Sequence, residues 1–172
     1  MSSVPATDPW LGFVLDFCNS YDLLENPRDR LSIPLVTRLA AHHELADPEL
    51  TAADLEPVRG VRGELYRVFA EEDSQYEVLN EIFTRYGAQP RLVAGPRLAA
   101  TGGADPVARL AVSAADALAR AVADGAADRL RTCAGDPCRC VYVDRTKANR
   151  RRYCCELCND RMASAAYRSR KS

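Results

Sequence analysis

Six of the seven cysteines in this 172-residue chain fall between positions 133 and 158. Four of them make two close pairs: Cys133 and Cys138 have four residues between them, Cys154 and Cys158 have three, and fifteen residues separate the pairs. Two close cysteine pairs held apart by a loop of that length have the spacing of a zinc site. The reason is geometric. Zn²⁺ takes four tetrahedral ligands, and thiolates suit it at about 2.3 Å. One turn presents two sulfurs, and the second pair closes the tetrahedron with distant chain. The segment holds no histidine, so the expected ligand set is Cys133, Cys138, Cys154 and Cys158. One ion with four protein ligands is closed, which makes it structural rather than catalytic. Cys140 and Cys155 leave the register open, because either can replace its neighbour as ligand. Cys18 stands alone in an apolar stripe and reads as a buried core thiol.

The charge of the chain is divided. Residues 131–172 carry eleven Lys/Arg against four Asp/Glu, whereas residues 1–130 carry twelve against twenty. A basic tail on an acidic body points to an anionic partner for the tail. Arg150, Arg151 and Arg152 directly precede Tyr153-Cys154, so a metal would fix their position. Arg161, Arg168 and Lys171 recur at helical spacing beyond Cys158, with Arg170 among them. Guanidinium groups held in place grip phosphate bidentately and can read guanine edges. A basic patch ordered by zinc beside a helix has the form of a nucleic-acid-binding module.

The rest of the chain reads as mainly helical. Trp10, Phe13, Val14, Phe17 and Tyr21 recur at helical spacing and predict a helix over 9–21. Ser32 and Pro34 mark the start of a second helix, from Ile33 to Leu45. Thr51-x-x-Asp54 and Ser74-x-x-Glu77 resemble capping boxes for two more, the second ended by Gly87. A Gly/Pro-rich stretch around Gly95-Pro96 predicts a small hairpin, 91–94 with 97–100. An alanine-rich helix is expected from Pro106 to Leu130. In the tail, a turn at Asp136-Pro137, a β-prone Val141-Tyr142-Val143 and a helix after Cys158 complete the pattern. The expected fold class is α+β: a mainly helical body with a small hairpin, 1–130, and a small four-cysteine zinc finger of hairpin and helix, 131–172. A module that small has little core of its own, so metal drives its folding.

The tail resembles the CGNR zinc finger. The matching residues are Cys133-Ala134, Cys138, Tyr142, Asp144, Thr146, Arg151-Arg152-Tyr153-Cys154 and Cys158-Asn159-Asp160-Arg161. The namesake motif departs, with Cys-Asn-Asp-Arg in place of Cys-Gly-Asn-Arg. In the body, Leu15-Asp16-Phe17-x-Asn19-Ser20 resembles the opening of the ABATE domain, which the family pairs with this finger. The resemblance implies a stress-responsive regulator, with a sensory or dimerising body joined to a DNA-binding finger. Asp16 and Asn19 of that stretch are candidates to line an effector pocket or, the favoured reading, to cap or brace local backbone as Asx side chains commonly do.

The expected function is therefore a zinc-finger transcriptional regulator that binds double-stranded DNA. Its affinity would be helped by a homodimer or by RNA polymerase, because one finger makes few contacts. The alternative is an adaptor that uses the same finger on an acidic protein. An enzyme is not expected: His42 and His43 stand beside Glu44, without the His-Glu-x-x-His pattern or a nucleophile–base arrangement. No apolar run reaches the roughly 18–20 residues of a membrane helix, and the N-terminus has no basic and apolar leader pattern. The expected location is the cytoplasm, on the nucleoid.

Overall fold

Asp8 opens the first helix. Its carboxylate accepts from the N–H groups of Trp10 at 2.9 Å and Leu11 at 3.3 Å, and Pro9 occupies the first turn, where a missing N–H does no harm. In the computed structural model, which describes residues 8–95 and 97–171, α1 spans Pro9–Cys18 and buries Leu11, Phe13, Val14, Phe17 and Cys18. It stops short of the expected Tyr21. Ser20 Oγ turns back onto the Phe17 carbonyl at 2.6 Å, and Tyr21 instead forms an isolated bridge with Asp29. The N-terminal residues 1–7 and Pro96 of the expected hairpin turn lie outside the described residues.

Helix α2, Ile33–His42, begins as expected, with Ser32 Oγ accepting from Leu35 N–H at 3.3 Å. It ends at His42 rather than Leu45. Glu44 takes a φ of 57°, and Leu45 N–H returns to the Ala40 carbonyl at 2.9 Å, a closure that satisfies the last carbonyls of the helix. A 3₁₀ turn, Ala52–Asp54, leads into α3, Leu55–Ala70. The first expected capping pair forms, the Asp54 carboxylate accepting from the Thr51 N–H at 2.7 Å and its hydroxyl at 2.8 Å. The second does not. Ser74 makes no side-chain cap to α4, Gln75–Arg85, because its backbone (φ −122°, ψ 16°) is not in the extended conformation that aims a cap oxygen at the helix.

Strands β1, Gln89–Val93, and β2, Arg97–Thr101, pair antiparallel with Arg91 opposite Ala99. Asp116 holds this hairpin to the next helix by accepting from Ala100 N–H at 3.0 Å. That helix, α5, spans Pro106–Ala121 and buries Leu110, Ala111, Ala114, Ala115 and Leu118 among others. It packs against α1, α3, α4 and β2, so it is the centre of the body. It does not run to Leu130. The chain widens into a π turn, Val122–Ala126, in which Gly125 has a φ of 82°, a conformation costly for any residue with a Cβ.

A 3₁₀ turn, Ala127–Arg129, then feeds β3, Leu130–Thr132, which pairs antiparallel with β4, Val141–Val143. Alternation along these strands divides their side chains between two cores. Leu130, Val141 and Val143 join the main apolar core of the body. Tyr142 points the other way, onto Cys133, Cys138 and Cys158. The last helix, α6, spans Glu156–Ser169. The architecture is α+β: a helical body with two small antiparallel sheets and a cysteine cluster at its C-terminal end.

Among the described residues, Ser20, Arg62 and Gln75 are polar residues buried in this body. Arg62 of α3 is buried and donates to Asp29 Oδ1 at 2.7 Å, Asp29 Oδ2 at 2.9 Å and Ser20 Oγ at 2.9 Å. The hydrogen bonds from Arg62 hold the Asp29 carboxyl well below the usual range. A carboxyl lowered on folding contributes its full stabilisation above its unfolded pKa, about 3.9, and loses it as pH falls through the folded value. Asp29→Ala strands the guanidinium and is expected to cost about 3 kcal/mol at neutral pH. It is also expected to flatten the loss of stability below about pH 4. Urea unfolding at pH 7 and pH 3 measures both; equal stability of the two proteins at pH 7 would remove the pair from the fold's support.

Candidate zinc centre and basic groove

Four sulfurs gather where the second small sheet meets α6. The Sγ atoms of Cys133, Cys138, Cys154 and Cys158 all lie within 4.8 Å of one another. Cys138 and Cys154 are 3.8 Å apart, and Cys154 and Cys158 are 3.7 Å apart. A tetrahedral ion with sulfur ligands at about 2.3 Å has sulfur–sulfur edges of about 3.8 Å. Cys133 follows β3, Cys138 follows a turn with a cis Asp136–Pro137 bond, and Cys158 lies in the first turns of α6.

The surroundings suit thiolates. Cys154 N–H donates to Cys133 Sγ at 3.3 Å, Cys140 N–H to Cys138 Sγ at 3.5 Å and Arg161 Nη2 to Cys158 Sγ at 3.6 Å. Without a cation, burial pushes the Cys158 thiol up to about 12 and raises Cys154 as well. Four sulfurs this close need a dication to ionise together. The cluster fits one structural zinc ion. Four thiolates would leave such a centre with excess negative charge, which Arg161 stands ready to offset. Cys140 and Cys155 lie outside the set: Cys140 Sγ is 3.8 Å from Asp22 Oδ2, and Cys155 is exposed.

The loop between β4 and Cys154 is ordered by one carboxylate. Asp144 is buried and accepts from Thr146 N–H at 2.9 Å, Thr146 Oγ1 at 2.6 Å and Arg151 N–H at 2.8 Å. Those hydrogen bonds hold its pKa down against the desolvation that opposes them. Two arginines brace the same loop. Arg129 donates to the carbonyls of Asp144 and Thr146, and Arg131 to those of Asn149 and Arg151. In the sequence these two flank Leu130, just before Cys133. Their alternation about the buried Leu130 is the signal that both turn away from the core.

The three consecutive arginines differ in what they do. Arg151 bends back, with Nε on the Tyr153 carbonyl at 2.8 Å, a further bond to the Cys154 carbonyl and its guanidinium over the Tyr142 ring at 5.5 Å. Arg150 and Arg152 are exposed. With Thr146, Tyr153, Glu156 and Asn159 they line a groove of about 490 Å³. Arg161, unlike the exposed Arg168, is half-buried. It turns onto the cysteine cluster, where it also reaches the Gly135 carbonyl at 3.4 Å. Arg168 and Arg170 are exposed at the end of α6, and Lys171 lies over the Tyr167 ring at 4.8 Å.

Asp16 and Asn19 are at the other side of the sheet. Asn19 accepts from Val141 N–H at 2.8 Å and donates to the Val141 carbonyl at 3.0 Å, so its amide fastens the end of α1 to β4. Asp16 Oδ2 lies 2.8 Å from His43 Nε2. Both border a pocket of about 430 Å³ with Arg30 and Arg38.

A helical body carrying a four-cysteine centre and an ordered arginine loop defines a zinc-finger protein. The chain belongs to the ABATE family, described as "putative stress-induced transcription regulator", which it matches over residues 12–132. Residues 129–171 match the CGNR zinc finger. The two matches overlap on residues 129–132, which include β3. A search of curated proteins gave no match. Among the described residues, no helix is long and apolar enough to cross a membrane.

Proposed function

We propose that this protein is a DNA-binding transcriptional regulator, built from a sensor or dimerisation body, 1–130, and a zinc finger, 131–172. The observation that carries the reading is the groove beside the cysteine cluster. Arg150 and Arg152 stand exposed on a loop whose backbone is tied by Asp144, Arg129 and Arg131. Cations held on an ordered backbone bind phosphate with little loss of entropy. Arg168, Arg170 and Lys171 extend the positive surface along α6. Tyr153 and Asn159 in the groove supply polar contacts to sugar or base. Asn159 and Asp160 replace the Gly-Asn of the finger's namesake motif, and Asn159 lines the groove whereas the exposed Asp160 does not.

Dimerisation has support of its own. Leu92 and Leu98 pair across the β1–β2 hairpin and are 77% and 69% exposed, so a partner copy has an apolar patch to cover. RNA polymerase could supply the missing affinity in its place. The reading assigns no catalytic step and places the protein in the cytoplasm on the nucleoid.

A salt titration of binding to double-stranded DNA fragments, followed by fluorescence anisotropy with zinc-loaded protein, tests it. Affinity is expected to fall steeply with salt through counterion release. No binding at low salt would reject the reading in favour of an adaptor for an acidic protein.

A further inference from the structure

A cavity of about 220 Å³ opens where α1, α3 and the turn between Cys138 and Cys140 meet. Its wall is made by Cys18, Tyr21, Arg59, Arg62, Gly63, Tyr66 and Arg139. Two tyrosine rings provide flat apolar surface. Arg139 comes from the zinc finger, and all the other lining residues come from the body.

The charges around it do not cancel. Arg62 and Arg59 share the single carboxylate of Asp29, and Arg59 also reaches the exposed Glu56. Arg139 has no carboxylate partner among the described residues. Its Nε donates to Tyr66 Oη at 3.3 Å and its guanidinium lies 5.1 Å from the centre of the Tyr66 ring. An exposed guanidinium at the mouth of an aromatic-walled cavity is a place for an anion with a flat apolar body.

Gly63 lines the cavity, and like Gly60 on the same helix it has room for a Cβ. What a side chain at Gly63 would fill is the cavity.

We infer that this cavity binds a small aromatic carboxylate, with its ring against Tyr21 and Tyr66 and its carboxylate on Arg139. The size suits a single ring, since sites for larger ligands run from about 300 Å³ upward. The inference rests on the sensory role proposed for the body and names the ligand class. It also gives that role a route: Arg139 stands between Cys138 and Cys140, so a ligand that holds its guanidinium acts directly on the turn that carries a zinc ligand.

The test measures binding without DNA, so its failure leaves the DNA-binding reading standing. Benzoate, 4-hydroxybenzoate and phenylacetate are titrated into the zinc-loaded full chain, with benzyl alcohol as the uncharged control, and amide chemical shifts are followed by NMR. At least one carboxylate is expected to give saturable shifts around Tyr21, Gly63 and Arg139, with none from benzyl alcohol. Gly63→Leu is expected to abolish the shifts, and Gly60→Leu, on the same helix but outside the cavity, to leave them unchanged. Arg139→Met, at an exposed position, is expected to weaken binding at least about tenfold. No saturable shift with any of the three, or binding that survives both Gly63→Leu and Arg139→Met, would overturn the inference.

Discussion

Replacing Cys154 by serine is expected to release zinc and melt α6 while leaving the body folded. The cluster has little apolar support of its own: Tyr142, Cys133, Cys138 and Cys158 are its buried residues, with Cys140, Tyr153 and Cys154 packed on them. A structural zinc centre supplies about 10–16 kcal/mol to the folding of such a module, and losing one of four thiolates removes a large part of that. The melting should have a sharp limit. Strands β3 and β4 contribute Leu130, Val141 and Val143 to the main core, and Asn19 grips both backbone groups of Val141. The ladder between them should therefore survive metal loss, together with helices α1 to α5. Amide hydrogen exchange of the zinc-free mutant checks this: fast exchange is expected over 145–169 and retained protection over Leu130–Thr132 and Val141–Val143. Cys155→Ser is the matching control and should keep its zinc, because Cys155 is exposed and outside the cluster. Zinc retained in the Cys154 variant and lost in the Cys155 variant would reverse the ligand assignment.

Much of this arrangement was legible in the sequence, for reasons that differ by element. The two cysteine pairs were readable because tetrahedral coordination imposes a spacing. Cys140 and Cys155 left the register open, and the four sulfurs within 4.8 Å of one another close it. The start of α1 was readable from the apolar spacing that begins at Trp10, and that of α2 because its cap and proline act locally. The end of α5 was not. Its alanine-rich pattern continues past Ala121, and only a left-handed Gly125 stops it. The inward turn of Arg161 was not legible for a related reason. Spacing fixes the angle of a side chain on its helix but not whether a charged neighbour draws it inward, and the sulfur cluster does that. The tie between Asn19 and Val141 spans most of the chain, so no local pattern could reveal it.

The largest functional effect should come from Arg150 and Arg152. The double substitution to alanine is expected to weaken DNA binding by about a hundredfold or more, since each charge-assisted hydrogen bond is worth about 1.5–3 kcal/mol. The slope of log affinity against log salt should also fall by about 1.8, two phosphate contacts at about 0.9 each. Zinc content and α6 helicity should change little, because no hydrogen bond among the described residues joins either guanidinium to the cluster and Arg152 only lies over the Tyr153 ring at 5.8 Å. Arg151 is expected to behave differently. Its guanidinium bonds the carbonyls of Tyr153 and Cys154 and covers Tyr142, so Arg151→Ala should loosen the metal site and lower affinity through disorder of the loop. Competition with a chromogenic chelator separates the cases: faster zinc loss for Arg151→Ala, unchanged loss for the double variant. If the double variant keeps full affinity and slope, the groove is not the phosphate contact, and the positive end of α6 at Arg168, Arg170 and Lys171 becomes the surface to test.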